Sequence, residues 1–279
     1  MDIYSEICNL RRQGRRAALA TIVSVHGSIP SVAAAKMLVR DDGSILGTVG
    51  GGCVEDDVRK GAMEVMKDEK PRTFNFNLDQ SPDDDTGLVC GGSLQVFVEP
   101  VIPSPVLYIF GAGHVGINIY KVALIAGFDV VVVDDREAFA NRERFPEALD
   151  IHSGDMDLVM SQLNPVENCY LAIVTRGHRH DMRVLRWALD TKAYYIGMIG
   201  STRKVLTLYE QLENEGVLHE SFDRVYAPIG LQIGAVTPEE IAISVVAELI
   251  ALRRHCKVPP PHSRNRLRRD EQSAIKSRP

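Results

Sequence analysis

Two cysteines stand beside runs of glycine. In GTVGGGCVE at 47–55, Gly50, Gly51 and Gly52 deliver Cys53 to what reads as the first turn of a helix. Backbone N–H groups and the helix dipole favour anions there, a thiolate included. The stretch lacks a Walker-type lysine, so any phosphate it binds is held by backbone alone. Cys90, followed by Gly91 and Gly92, repeats the arrangement after the acidic run 83–85 and before the strand-like LQVFV. A thiol so placed can be a nucleophile, a metal ligand or a sulfur acceptor; a small buried filler is the plain alternative.

A second group of residues suits a dinucleotide. GAGHVG at 111–116 follows VLYIF directly and opens a helical pattern, and Asp134 ends the next apolar run, 23 residues beyond Gly111. Glycines at 111, 113 and 116 permit a tight turn and let N–H groups approach a pyrophosphate at a helix N-terminus. Asp134 suits a ribose diol and Arg136 a 2′-phosphate, so NAD and NADP both stay open. His114 stands where a small residue is usual, and its imidazole either binds an anion or hinders close approach. In TRGHRHD at 175–181, His178, His180 and Asp181 follow another apolar run, with metal ligation, anion binding and helix capping all open. GSTRK at 200–204, containing Ser201, is a further anion-friendly loop.

The elements that must position these residues fall into two regions, divided by Ile-Pro-Ser-Pro at 102–105. Upstream, strand-like runs at 17–25, 36–39, 73–78 and 94–98 surround a helical pattern at 54–67, and Asp41-Asp42-Gly43 marks a hairpin turn. Downstream, buried-strand runs at 106–110, 130–133, 171–175 and 194–199 alternate with helical segments near 115–126, 155–163 and 182–189. The last helix has a full start signal, Thr237-Pro238-Glu239-Glu240. The expected fold class is α/β: a Rossmann-like doubly wound parallel sheet over 106–256, and a smaller N-terminal α+β domain over 1–102. Residues 257–279 lack apolar periodicity and read as a basic, unpacked tail.

Composition narrows the function. The 279 residues are 45% apolar, 25% charged and 6% aromatic, which excludes a disordered or collagen-like chain and leaves material for a real core. Five cysteines without a CxxC pair indicate reduced thiols. Net charge is −5 although the tail holds seven Lys/Arg against two Asp/Glu, so the rest of the chain is more acidic still and ill suited to nucleic acid. No apolar stretch approaches the roughly 20 residues that span a bilayer, and MDIYSEICNLRR has no signal-peptide core. A cytoplasmic protein without a membrane partner is expected.

Taken in order, GTVGGGCVE, CGG, IFGAGHVG, VVVDDR, TRGHRHD, YIGMIGSTRK and PIGLQIGAVTPEEIAIS resemble the XdhC/CoxI family of xanthine dehydrogenase accessory proteins, over about 15–255. The resemblance implies an N-terminal XdhC/CoxI domain and a C-terminal Rossmann domain. It also implies binding of molybdenum cofactor (molybdopterin), assistance with its sulfuration by a cysteine desulfurase, and delivery to a molybdenum hydroxylase apo-enzyme. Cys53 and Cys90 match the family's cysteine positions, and Gly111, Gly113, Gly116 and Asp134 match its nucleotide-binding loop; Cys90, and His178 from its own cluster at 175–181, are the candidate metal contacts. A homo-oligomer is expected. In one departure, a family arginine and glycine give way to Ser31 and Ala34 within 27–37, which removes a bidentate anion clamp. Two other readings are an NAD(P)-dependent oxidoreductase with His114 or His178 as proton donor, and a non-catalytic assembly factor.

Overall fold

The structure, a computed structural model, describes residues 2–28, 33–77 and 91–256. The chain divides into two compact units, Met1–Ser104 and Pro105–Pro279.

The first unit contains α1 (Ile3–Arg12), β1 (Ala17–Ser28), β2 (Lys36–Arg40), β3 (Ile45–Gly47), α2 (Gly52–Asp68), β4 (Arg72–Asn77) and β5 (Gly91–Val101). Its five strands form one antiparallel sheet in the order β3-β2-β1-β5-β4. Gly43, at φ +78°, closes the 41–43 turn by donating its N–H to Arg40 O at 2.9 Å. Helix α2 covers one sheet face because Val54, Val58, Ala62, Val65 and Met66 recur at helical spacing, and they pack on Ala20, Ile22, Val96 and Val98. Gly61 allows the close approach of β4, since a Cβ there would lie 2.3 Å from the Phe74 ring. Helix α1 has no counterpart in the sequence reading. Asp2 caps it by accepting from the N–H groups of Tyr4 and Ser5, and Leu10 joins Leu19 and Leu38 in a smaller core.

The second unit runs β6 (Val106–Phe110), α3 (His114–Ile125), β7 (Asp129–Asp134), β8 (Asp150–Ser153), α4 (Met156–Gln162) and β9 (Cys169–Ile173). It continues with α5 (His178–Leu189), β10 (Tyr195–Met198), α6 (Thr202–Asn214), a 3₁₀ turn (His219–Arg224), β11 (Val225–Tyr226) and α7 (Pro238–Arg253). All six strands are parallel, in the order β8-β7-β6-β9-β10-β11. Renumbered within the unit, that order is 3-2-1-4-5-6, the doubly wound dinucleotide-binding arrangement, with its switch point between β6 and β9. Alternate residues of each strand feed two cores. Phe110, Val131 and Val133 face α4, α5 and α6; Leu107, Ile109, Val130 and Val132 face α3 and α7. The sequence signal at α7 is realised as a capping box, with Glu240 N–H donating to Thr237 Oγ1 and Thr237 N–H donating to a Glu240 carboxylate oxygen. Among the described residues, no helix is long and apolar enough to cross a membrane.

Candidate functional site

At the switch point the three glycines have three separate steric roles. Gly111 takes φ +117°, and a Cβ there would lie 2.4 Å from Val174 O, so the turn lies directly against the end of β9. At Gly116 a Cβ would lie 1.9 Å from Gly111 O, so α3 seats on the turn only because that position is bare. At Gly113 a Cβ would meet nothing within 4 Å, and this residue caps α3 without a side chain. The first-turn N–H groups therefore stay open to an anion. His114 is the first residue of the helix and is exposed.

Asp134 ends β7 where the sequence places it, and it is 3% exposed. One oxygen accepts from the Arg136 backbone N–H and Nε at 3.0 and 2.8 Å. The other accepts from Ala112 N–H and Arg136 Nη2, at 2.8 and 3.0 Å. A carboxylate offers about four lone-pair sites, and all four are taken. Burial alone pushes this carboxyl up, but the Arg136 and Ala112 donors outweigh it and hold it below the usual carboxylate range. The Arg136 guanidinium also stacks on Phe139, 3.7 Å from the ring centroid. The turn thus fits a pyrophosphate, whereas a ribose diol reaches Asp134 only if Arg136 leaves it.

Across the switch point, α5 begins four residues earlier than its apolar spacing indicates, so His178 and His180 lie on its first turn. His178 is exposed. Asp181 is fully buried, accepting from Thr175 Oγ1 at 2.6 Å and from Lys204 Nζ at 2.5 Å. The sequence leaves metal ligation, anion binding and helix capping open for Asp181, and puts Lys204 in an anion-friendly loop. Its spacing from Val184, Leu185 and Ala188 is the signal that places Asp181 on the inward face of α5. Ser201 caps α6, its hydroxyl accepting from Lys204 N–H at 3.3 Å.

In the first unit Gly50, Gly51 and Gly52 take φ of +126°, +80° and +63°, so three left-handed residues in succession lead into α2. Cys53 follows in the first turn and is exposed. Glu55 reaches back over the loop, one oxygen accepting from Gly51 N–H at 3.1 Å, Val49 N–H at 3.3 Å and the Thr48 hydroxyl. This loop therefore holds a carboxylate of its own chain, which the sequence reading did not foresee. Gly91 and Gly92 begin β5 opposite Ser28 and Gly27; Cys90 lies outside the described residues, as do 29–32 and the tail 257–279. Ala34, where the family pattern has glycine, sits at φ +69°. Among the described residues, no group of three or more His, Cys, Asp or Glu side chains is gathered as a metal site.

Comparison with known proteins agrees with this architecture. The chain matches the XdhC Rossmann domain over residues 107–249, just over half its length, and the XdhC and CoxI family over residues 10–77. It is 36% identical over 256 residues to the uncharacterized protein YqeB of Escherichia coli, covering 91% of this chain but 47% of that protein, so it spans about half the length of this relative. It is 25% identical to a Bacillus subtilis protein described as a probable xanthine dehydrogenase subunit, covering 92% of this chain and 99% of that one. It is 26% identical to the molybdenum cofactor insertion chaperone PaoD of Escherichia coli, covering 87% of this chain and 85% of that one. A crystal structure described as a xanthine dehydrogenase from Bacillus halodurans superposes with a TM-score of 0.51 at 25% identity, covering 94% and 99% of the two chains. With the doubly wound unit, its glycine turn and the two family matches in place, the chain belongs to the XdhC and CoxI family.

Proposed function

We propose that the protein is a maturation factor for a molybdenum hydroxylase of the xanthine dehydrogenase type, carrying molybdenum cofactor as cargo. In this reading it assists sulfuration of the cofactor with a cysteine desulfurase and passes the product to the apo-enzyme, acting in the cytoplasm as a homo-oligomer. The observation that carries it is the near full-length similarity to a molybdenum cofactor insertion chaperone. The exposed Cys53 supports it, because a soft thiolate suits both molybdenum and persulfide exchange. Glu55 fixes the loop that presents this sulfur, and Cys90 is the second candidate for the same work. Protein purified without oxygen from a host that makes the cofactor should retain molybdenum and a fluorescent pterin near stoichiometrically, and Cys53→Ala should retain much less. Metal-free and pterin-free protein from such a host would overturn the reading.

An NAD(P)-binding unit is the second reading, supported by the strand order and by the open Gly113. Gly111, Gly113 and Gly116 would hold the pyrophosphate, and Arg136 with Asp134 would discriminate at the ribose; NAD(P) would supply hydride chemistry. Titration with NAD⁺ and NADP⁺ tests it directly, and absence of binding to both removes it.

A further inference from the structure

The second unit contains a cleft whose lining has no residue of the glycine turn at 111–116 and includes the start of the anion-friendly loop 200–204. Its volume is about 740 Å³, and it lies beyond the carboxyl ends of β10 and β11. One wall is Ile199, Gly200 and Ser201; the other is the loop 228–235, with Ile241 and Ser244 of α7 as floor. The apolar surfaces are Ile199, Ile229, Leu231, Ile233 and Ile241, and among the described residues no acidic side chain lines it. Ser201, Gln232 and Ser244 add polar side chains, and the backbone N–H groups of Gly200, Ser201, Gln232, Gly234 and Ala235 have no partner among the described residues.

Two buried polar arrangements hold these walls. Glu248 of α7, 5% exposed, accepts from Gly230 N–H at 3.1 Å and from the Tyr195 hydroxyl, tying the 228–235 loop to the sheet. Gly230 permits that approach, because a Cβ there would lie 2.4 Å from Ser244 Oγ. On the other side the Lys204 stem lies against Gly200, where a Cβ would come within 2.9 Å of Lys204 Cδ. Its ammonium is fixed by the fully buried Asp181 at 2.5 Å and by Ile199 O at 3.4 Å. Two of the three ammonium hydrogens are thereby used and one is left. A buried ion pair adds little net stability and carries no net charge; what it provides is a fixed lysine stem that backs the Gly200 wall from outside the cleft lining.

We propose that this cleft is the binding site for a flat, oxo-substituted heterocycle carrying an anionic group, the ring lying between the isoleucine and leucine surfaces and the anion directed toward the backbone N–H groups of Gly200 and Ser201. Small-molecule pockets have this composition, mostly apolar walls with a few convergent polar groups, and five unpaired donors with no lining carboxylate select acceptor-rich, negatively charged ligands. The inference rests on the cofactor-handling reading and assigns its ring-binding end to the second unit.

The test uses the intact chain and 6-carboxypterin, a fluorescent anionic oxo-heterocycle, with uncharged pterin as comparator, followed by fluorescence anisotropy. Leu231→Trp fills the cleft from a partly exposed loop position and should weaken 6-carboxypterin binding by roughly tenfold or more. Uncharged pterin, which lacks the anion, should bind the wild-type chain more weakly than 6-carboxypterin by roughly tenfold or more. Ile125→Ala, at an 87% exposed position outside the cleft lining, should change the binding of neither. Unaltered binding in Leu231→Trp, or no binding of 6-carboxypterin to the wild-type chain, overturns the proposal. If the protein from a cofactor-making host retains molybdenum and pterin, and Leu231→Trp retains them equally, this site is wrong while the maturation reading stands. If the wild-type protein retains neither, the maturation reading itself has failed.

Discussion

A single side chain in an unfavourable backbone region gives the most direct residue-level test. Ala34 holds φ +69°, a left-handed conformation that strains an L-residue with a Cβ. Ala34→Gly should therefore stabilise the first unit by about 1 kcal/mol, read as a raised urea midpoint at unchanged slope. Arg136 offers a second test, because it occupies every acceptor site of Asp134 with Ala112. If the glycine turn takes a dinucleotide, Arg136→Ala should tighten NAD⁺ binding and weaken any preference for NADP⁺; loss of NAD⁺ binding in that variant would show that Arg136 assists the ribose. Glu248 offers a third. Burial raises its carboxyl above the ordinary value near 4.5, with the Tyr195 and Gly230 hydrogen bonds only partly opposing. The folded state then binds the proton more tightly than the unfolded chain, so ionisation of Glu248 erodes stability as pH rises from about 4.5 toward the raised folded value. Glu248→Gln keeps an acceptor without that ionisation. Its stability relative to wild type should be lowest in acid, improve through this window and level off above it, as followed by thermal melts between pH 4 and 7.

Among the elements, glycine contacts and caps decide which segments can pack. Gly113→Ala and Gly116→Ala are one substitution placed three residues apart, with opposite expected results. The first adds a methyl to open space; the second drives it to 1.9 Å from Gly111 O, where only backbone can move. Gly116→Ala should destabilise the second unit by more than about 2 kcal/mol, within the range seen for overpacking and backbone displacement, while Gly113→Ala melts like wild type. At α7, Thr237→Ala removes half of the capping box and should cost about 1 kcal/mol, leaving the helix signal in circular dichroism intact below the transition. These caps bear on the site because α7 supplies the floor of the cleft and the Glu248 anchor of its loop.

At the scale of the whole molecule, each of the two compact units has its own core, so the Gly116→Ala effect should appear in the melting of one unit and leave the other in place. Calorimetry reads this as one shifted and one unshifted transition; a single shared shift would show that the units melt together. The strand runs of the second unit were legible because all-parallel strands are buried on both faces and appear as unbroken apolar stretches, 106–110 being recovered to the residue. The glycine turn was legible because glycine spacing is a direct record of close backbone approach. By contrast, β8 (DIHS) is only partly buried and α1 is mostly polar, so neither carries enough apolar periodicity to announce itself. The site divides in the same way. Local sequence determined that Cys53 stands on a glycine loop, that an acid ends β7, and that a lysine follows β10. Only the tertiary structure decided that Arg136 closes Asp134, that Glu55 fills its own loop, and that Asp181 fixes Lys204 beside a cleft. Each of those outcomes depends on which polar atoms burial leaves side by side, and hydrogen-bond partners brought together by folding leave no periodic trace in the chain.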